Sequence, residues 1–231
     1  MADQLLLPIH QIDDDTLENF NSDNNLSLLS SLQKNFEKQQ QQFFYIWGIK
    51  SSGKTHLLKA CSNYFFTQQR SAIYIPLHKS HYFSPAVLDG LENQELVCLD
   101  NLQSVVSNSE WELAIFDLFN RIKESGKTIL LISANQSPLA IDIKLPDLSS
   151  RLSWGEIYQL MPLNEKQKIE VLQHNARGKG IELSDETANF LFKRLDRDLN
   201  ELLKTLTLLD KASLQSHRKL TIPFVKEILH L

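Results

Sequence analysis

Apolar residues recur in two kinds of pattern up to Pro162 and in one kind after it. Leu28, Leu29, Leu32 and Phe36 share one face of a helix predicted over Leu26–Phe36. Glu37–Gln42 reads as a Gln-rich connector. Phe43–Trp47 is a continuous apolar run of strand length. A helix is predicted from Lys54 to Phe66, with Leu57, Leu58, Cys61, Tyr64 and Phe65 at helical spacing. Ala72–Leu77, Leu96–Leu99, Thr128–Ser133 and Glu156–Leu160 read as further strands, and Trp111–Ile122 as a helix stopped by Gly126. Strands this apolar, separated by helices, imply a parallel sheet of five strands covered on both faces. After Pro162 the spacing is helical only. Asn164 with Gln167 forms a capping-box pattern, and Gly178 and Gly180 end that helix. Ser184 opens the next helix, and Leu199–Leu214 and Ile222–Leu231 supply two more. The expected organisation is a flexible tail over residues 1–12, an α/β domain over 13–163 and a small all-α domain over 164–231.

The composition of the 231 residues is that of a globular protein, with 42% hydrophobic and 23% charged positions. A formal net charge of -4 gives no support for a surface that grips duplex DNA. Cys61 and Cys98 both lie in apolar periodic segments, as buried free thiols do, and two cysteines make neither a disulfide framework nor a four-ligand zinc site. No apolar run approaches the ~20 residues of a membrane span. Leu5-Leu6-Leu7 is too short for a signal sequence. A soluble cytoplasmic protein without membrane contact is expected.

Gly48-Ile49-Lys50-Ser51-Ser52-Gly53-Lys54-Thr55 fits the phosphate-loop pattern G-x-x-x-x-G-K-[ST], with a predicted strand before it and an amphipathic helix after it. Gly48, Ser51, Ser52 and Gly53 would turn backbone N–H groups toward phosphate oxygens. Lys54 would reach the β- and γ-phosphates, and the Thr55 hydroxyl would hold Mg²⁺. Leu96-Val97-Cys98-Leu99-Asp100 is an apolar strand ending in a carboxylate, as a Walker B strand does, which makes Asp100 a second Mg²⁺ contact. Asn101 follows where a carboxylate would activate water. Its amide accepts no proton, so weak intrinsic hydrolysis is expected. Asn135 ends the fourth strand and reads either as a γ-phosphate sensor or as a turn former before Ser137-Pro138.

In this order of motifs the chain resembles AAA+ proteins of the bacterial initiator DnaA group. Leu148-Ser149-Ser150-Arg151-Leu152-Ser153-Trp154-Gly155 is similar to the arginine-finger box S-R-x-x-W-G of that group. The likeness runs over nearly the whole chain, including Trp111–Leu118 and Arg218–Leu229, and is greatest to the small DnaA-homologous regulators that switch the initiator off. Those regulators bind the sliding clamp, the beta subunit of DNA polymerase III, through a peptide similar to Gln4-Leu5-Leu6-Leu7-Pro8-Ile9. Gln4 would satisfy a pocket rim while Leu5, Leu7, Pro8 and Ile9 make the apolar contact. The resemblance implies an AAA+ P-loop domain with a helical lid, ADP or ATP with Mg²⁺ as cofactor and ADP as the active form. It makes Arg151 a finger supplied in trans to DnaA-bound ATP, with DNA reached through partners. It leaves a homo-oligomer open. The initiator's helix-turn-helix domain is expected to be absent.

The chain departs from the group at Asn200, where the family carries its sensor 2 arginine. Arg197, three residues earlier on roughly the same predicted helical face, reads either as its substitute or as a surface ion-pair partner. Phe20 reads either as an adenine contact within Leu17–Asn25 or as a core anchor, and Arg151 either as a finger or as a helix-end salt bridge. Two rival functions stay open. One is an autonomous ATPase in which Arg151 serves a neighbouring copy. The other is a helicase-loader-like adaptor using His78, Lys79 and His81 on single strands.

Overall fold

The computed structural model describes residues 15–20, 24–38, 42–216 and 218–231. The clamp-peptide expectation at Gln4, Leu5, Leu7, Pro8 and Ile9 lies outside the described residues.

Five strands form one all-parallel sheet in the order β2-β3-β4-β1-β5. They are β1 (Phe43–Trp47), β2 (Ala72–Pro76), β3 (Leu96–Asp100), β4 (Ile129–Ala134) and β5 (Glu156–Gln159). Alternate side chains go to opposite faces. Phe43, Tyr45, Val97, Leu99, Leu130 and Ile132 pack under α3 (Ser109–Ser125) and α4 (Pro146–Leu152). Phe44, Ile46, Leu96, Cys98, Ile129 and Leu131 pack under α1 (Leu26–Lys38) and α2 (Lys54–Thr67). The central strands β3 and β4 are buried throughout, which is why they carry no polar alternation. Cys61 and Cys98 are buried free thiols.

The C-terminal helices α5 (Glu165–Gly178), α6 (Asp185–Arg194), α7 (Leu199–Ser216) and α8 (Ile222–Leu229) surround a core of their own, with Leu172, Leu191, Leu206, Phe224 and Val225 at its centre. Asn164 caps α5 in a complete capping box with Gln167, and Ser184 caps α6 through Thr187.

Several helices run past their predicted ends, while α8 stops at Leu229, short of the predicted Leu231. The first covers Glu37 and Lys38, which the sequence reading gave to the connector. Asn108 caps α3 two residues before Glu110, so that helix starts ahead of Trp111. Leu77 leaves β2 and opens a 3-10 turn. The helix α4, of only seven residues, had no periodic signal and was not predicted. Among the described residues no helix is long and apolar enough to cross a membrane.

Candidate functional site

Both β1 and β3 end at the carboxyl edge of the sheet, with β4 between them. Ligands collect at this edge in open α/β sheets. The loop after β1 therefore lies beside the last residue of β3. A cleft of about 410 Å³ opens here, lined by loop residues Lys50 to Thr55, by Phe20, Asn25 and Asn101, and from the lid by Asn175, Asn200 and Leu203.

The loop's shape follows from its residues. Ser51 and Gly53 have positive φ of 61° and 97°. A Cβ on Gly48 would sit 2.7 Å from the Leu160 carbonyl oxygen, so only glycine fits where the loop leaves the sheet. Lys54 opens α2 and is almost fully buried. Its Nζ donates to the carbonyls of Gly48 at 2.8 Å and Ile49 at 2.7 Å. Burial lowers the pKa of its ammonium, and the Asp100 carboxylate opposes that shift. An ammonium held in a loop of this curvature, at a helix N-terminus, suits a phosphate.

Asp100 is fully buried, and its carboxylate is fixed by four donors. The Thr55 hydroxyl and the Tyr74 phenol each donate to Oδ2 at 2.7 Å, the Asn101 amide donates to Oδ2 at 3.0 Å, and the Ser133 hydroxyl donates to Oδ1. Burial and the neighbouring Asp100 raise the Tyr74 pKa. Thr55 Oγ1 and Asp100 Oδ2 are hard oxygen donors in contact, and such a pair suits Mg²⁺ that keeps its remaining positions for waters and phosphate oxygens.

The segment before α1 forms the opposite wall. Asp15 pairs with His56 Nδ1 at 2.9 Å and with Lys59 at 3.1 Å. Burial pushes the Asp15 carboxyl up, but His56 and Lys59 outweigh it and hold it below the usual carboxylate range. Phe20 is buried against the Gly53 turn and lines the cleft, so its two readings are compatible.

The lid meets the loop at Ser51. Its hydroxyl donates to Asp198 Oδ2 at 2.6 Å and accepts from Asn200 Nδ2 at 3.1 Å. Arg197 is not brought to the cleft. Asp198 caps α7 by accepting from the Asn200 backbone N–H at 2.9 Å, so the helix begins after Arg197. The Arg197 guanidinium points to Glu165 Oε1 at 2.6 Å, in an exposed ion pair. The expectation that it shares a helix face with Asn200 is thus corrected. Asn135 is exposed beyond β4, its backbone N–H donating to Gln103 Oε1 at 3.1 Å. Ser133, two residues earlier, is the residue of β4 that touches Asp100.

Arg151 lies away from this cleft, in the last turn of α4. Its guanidinium carbon sits 3.6 Å from the centroid of the Trp154 ring, and Nη2 donates to Asn120 Oδ1 at 3.2 Å. The Trp154 backbone N–H donates to the Arg151 carbonyl at 3.0 Å in the turn that follows α4. Among the described residues no carboxylate lies within ion-pair distance of Arg151, so the salt-bridge reading is not what the structure shows.

Sequence reasoning missed Tyr74, Ser133 and Asp198. The first two reach Asp100 across strands, so finding them needs the strand order. Asp198 carries the signal of an Asp just ahead of an apolar helical run.

A buried P-loop lysine, a strand-end aspartate beside the loop threonine and a helical lid on the loop define an AAA+ nucleotide-binding protein. The pattern of the bacterial DnaA ATPase domain matches residues 14–159, and that of the Hda lid domain matches residues 165–229. The chain belongs to the bacterial DnaA ATPase family, as an Hda-like, DnaA-homologous AAA+ regulator. An uncharacterized protein of Haemophilus influenzae is 68% identical over 231 residues, covering 100% of both chains. Domain III of the Thermotoga maritima replication initiation protein DnaA has the same fold, with a TM-score of 0.79 at 20% identity over 97% of this chain and 98% of that one. AMPPCP-bound DnaA from Aquifex aeolicus aligns with a TM-score of 0.69 at 20% identity, over 89% of this chain and 66% of that one.

Proposed function

We propose that this protein is a regulator that turns DnaA-ATP into DnaA-ADP and so prevents premature re-initiation of replication. The observation that carries the reading is Arg151. A guanidinium stacked on a half-exposed indole, with no carboxylate beside it among the described residues, is preorganised for an anion brought by another molecule. Its distance from the chain's own loop leaves it to act in trans. There it would stabilise charge developing on the γ-phosphoryl of ATP bound to DnaA, an effect of roughly 10³–10⁵ in rate.

The chain's own nucleotide serves structure in this reading. Gly48–Thr55 would hold ADP, or ATP, with Mg²⁺: Lys54 would reach the phosphates, and Thr55 and Asp100 would hold the metal. Phe20 and Asn200 line the same cleft, so a bound nucleotide would face both the wall and the lid. Asn101 supports weak intrinsic turnover, since its amide donates to Asp100 in the place where a water-activating carboxylate would stand. Gln4, Leu5, Leu7, Pro8 and Ile9 dock on the DNA-loaded beta clamp of DNA polymerase III in the cytoplasm and bring Arg151 to its target.

The test is phosphate release from DnaA-ATP, with and without this protein, clamp and DNA. Release that needs all three supports the reading. Rapid ATP turnover by this protein alone would support the autonomous ATPase instead. Replacing Gln4 and Leu5 by Ala should abolish clamp binding in a pull-down and leave ADP binding intact.

A further inference from the structure

Two cations share the Trp154 ring. The Arg151 guanidinium carbon is 3.6 Å from its centroid, and Lys123 Nζ is 4.3 Å from the same point. Lys123 comes from a different helix, α3, where it stands three residues after Asn120, the acceptor for Arg151. Residues three apart on a helix share a face, so α3 presents both Asn120 and Lys123 to the end of α4. Among the described residues neither cation has a carboxylate within ion-pair distance.

This arrangement is unfavourable in isolation. Two like charges near one ring repel, and the quadrupole of the ring offsets only part of that repulsion. The chain as a whole is acidic, at -4, so two cations on one ring are not a reflection of composition. A group of this kind is stabilised when an anion arrives that both cations reach. Trp154 is 44% exposed, which keeps that approach open.

We propose that Lys123 is a second cationic contact to the phosphates that Arg151 meets, and that Trp154 is the positioning residue that sets both. This rests on the reading of Arg151 given under Proposed function. The two cations differ in chemistry. The guanidinium offers a planar fork that spans two phosphate oxygens, while the ammonium is a compact charge with three rotatable donors. Together they take a polyphosphate held by another protein, with Arg151 on the transferred group and Lys123 on a neighbouring oxygen.

The experiment measures hydrolysis of DnaA-bound ATP on DNA-loaded clamp against rising concentrations of four proteins: wild type, Lys123→Met, Lys123→Arg and Arg151→Ala. Methionine keeps an unbranched apolar stem on the indole and removes the charge. Lys123 is exposed, so melting temperatures should match wild type. The expected result is a plateau rate about tenfold lower for Lys123→Met, near wild type for Lys123→Arg and abolished for Arg151→Ala. A wild-type plateau for Lys123→Met, with Arg151→Ala inactive, overturns the role of Lys123 and leaves the proposed function standing. Equal loss in Lys123→Met and Lys123→Arg also overturns it, because charge is then not what acts. A wild-type rate for Arg151→Ala removes the functional reading and this proposal with it.

Discussion

The Ser51 hydroxyl and the Asp198 carboxylate, 147 residues apart in sequence, meet at 2.6 Å and join the lid to the phosphate loop. Ser51 holds the Asp198 carboxyl below the usual carboxylate range. A carboxylate with a lowered folded-state pKa adds stability above its unfolded pKa of about 4 and loses it as pH falls through the lower value. Asp198→Asn keeps an oxygen to cap α7 but removes the charge. It should cost about 1 kcal/mol at neutral pH. Chemical unfolding of both proteins from pH 7 downward checks this. The difference should hold steady to about pH 4 and close below it. A difference that grows on acidification contradicts the assignment.

The nucleotide site was legible where it depends on residues close in sequence. Glycine spacing, Lys54 and Thr55 sit on one turn, and Asp100 ends an apolar run. Its surroundings were not legible. Tyr74 and Ser133 reach Asp100 only because β2 and β4 flank β3, and that order is a tertiary fact. Arg197 shows the opposite failure. Its spacing from Asn200 suits a helix, but Asp198 caps α7 between them and leaves Arg197 outside, paired with Glu165. The helix α4 was missed because its seven residues leave too little length for a period. The sheet was legible because its central strands β3 and β4 are apolar runs broken only by Asp100 and Ser133 near their ends.

Lys54→Ala removes the ammonium and leaves the Gly48 and Ile49 carbonyls without their donor. ADP affinity should fall at least about tenfold, the loss of one charge-assisted contact. Calorimetric titration measures it. Unchanged affinity would place the nucleotide elsewhere.

Asn101 has a φ of 65°, a conformation that asparagine accepts more readily than most residues. Asn101→Glu should cost about 1–2 kcal/mol from that strain, and it also puts a second carboxylate beside Asp100. If the missing acid is what limits turnover, the same carboxylate should raise intrinsic ATP hydrolysis above wild type. Thermal melting and phosphate release by the purified variant check the two effects. Lower stability without added turnover would show that the amide is not what limits hydrolysis.

Gly155, beside Trp154, is fixed by packing against β1. A Cβ there would lie 2.0 Å from the Phe43 carbonyl oxygen. Gly155→Ala must push β5 away from β1 and should destabilise the protein by about 3 kcal/mol. Denaturant unfolding reads this. Near-wild-type stability would contradict the close approach of the two segments.

Arg151 separates structural from functional readings most sharply. In the folded chain its guanidinium touches Trp154 and Asn120. An exposed cation–π contact contributes about 0.5–1 kcal/mol, and one neutral acceptor adds about as much. Arg151→Ala should therefore lower stability by no more than about 2 kcal/mol. ADP binding should not change, because the cleft at Gly48–Thr55 does not include Arg151. Stimulation of DnaA-ATP hydrolysis should disappear. Arg151→Lys should also fail, since an ammonium keeps the charge but loses the planar fork that spans phosphate oxygens. The measurement is the ratio of ATP to ADP on DnaA after incubation with each variant and DNA-loaded clamp, alongside ADP titration and melting. Full stimulation by Arg151→Ala sinks the finger. Loss of ADP binding or a large drop in melting temperature would make Arg151 a structural residue instead.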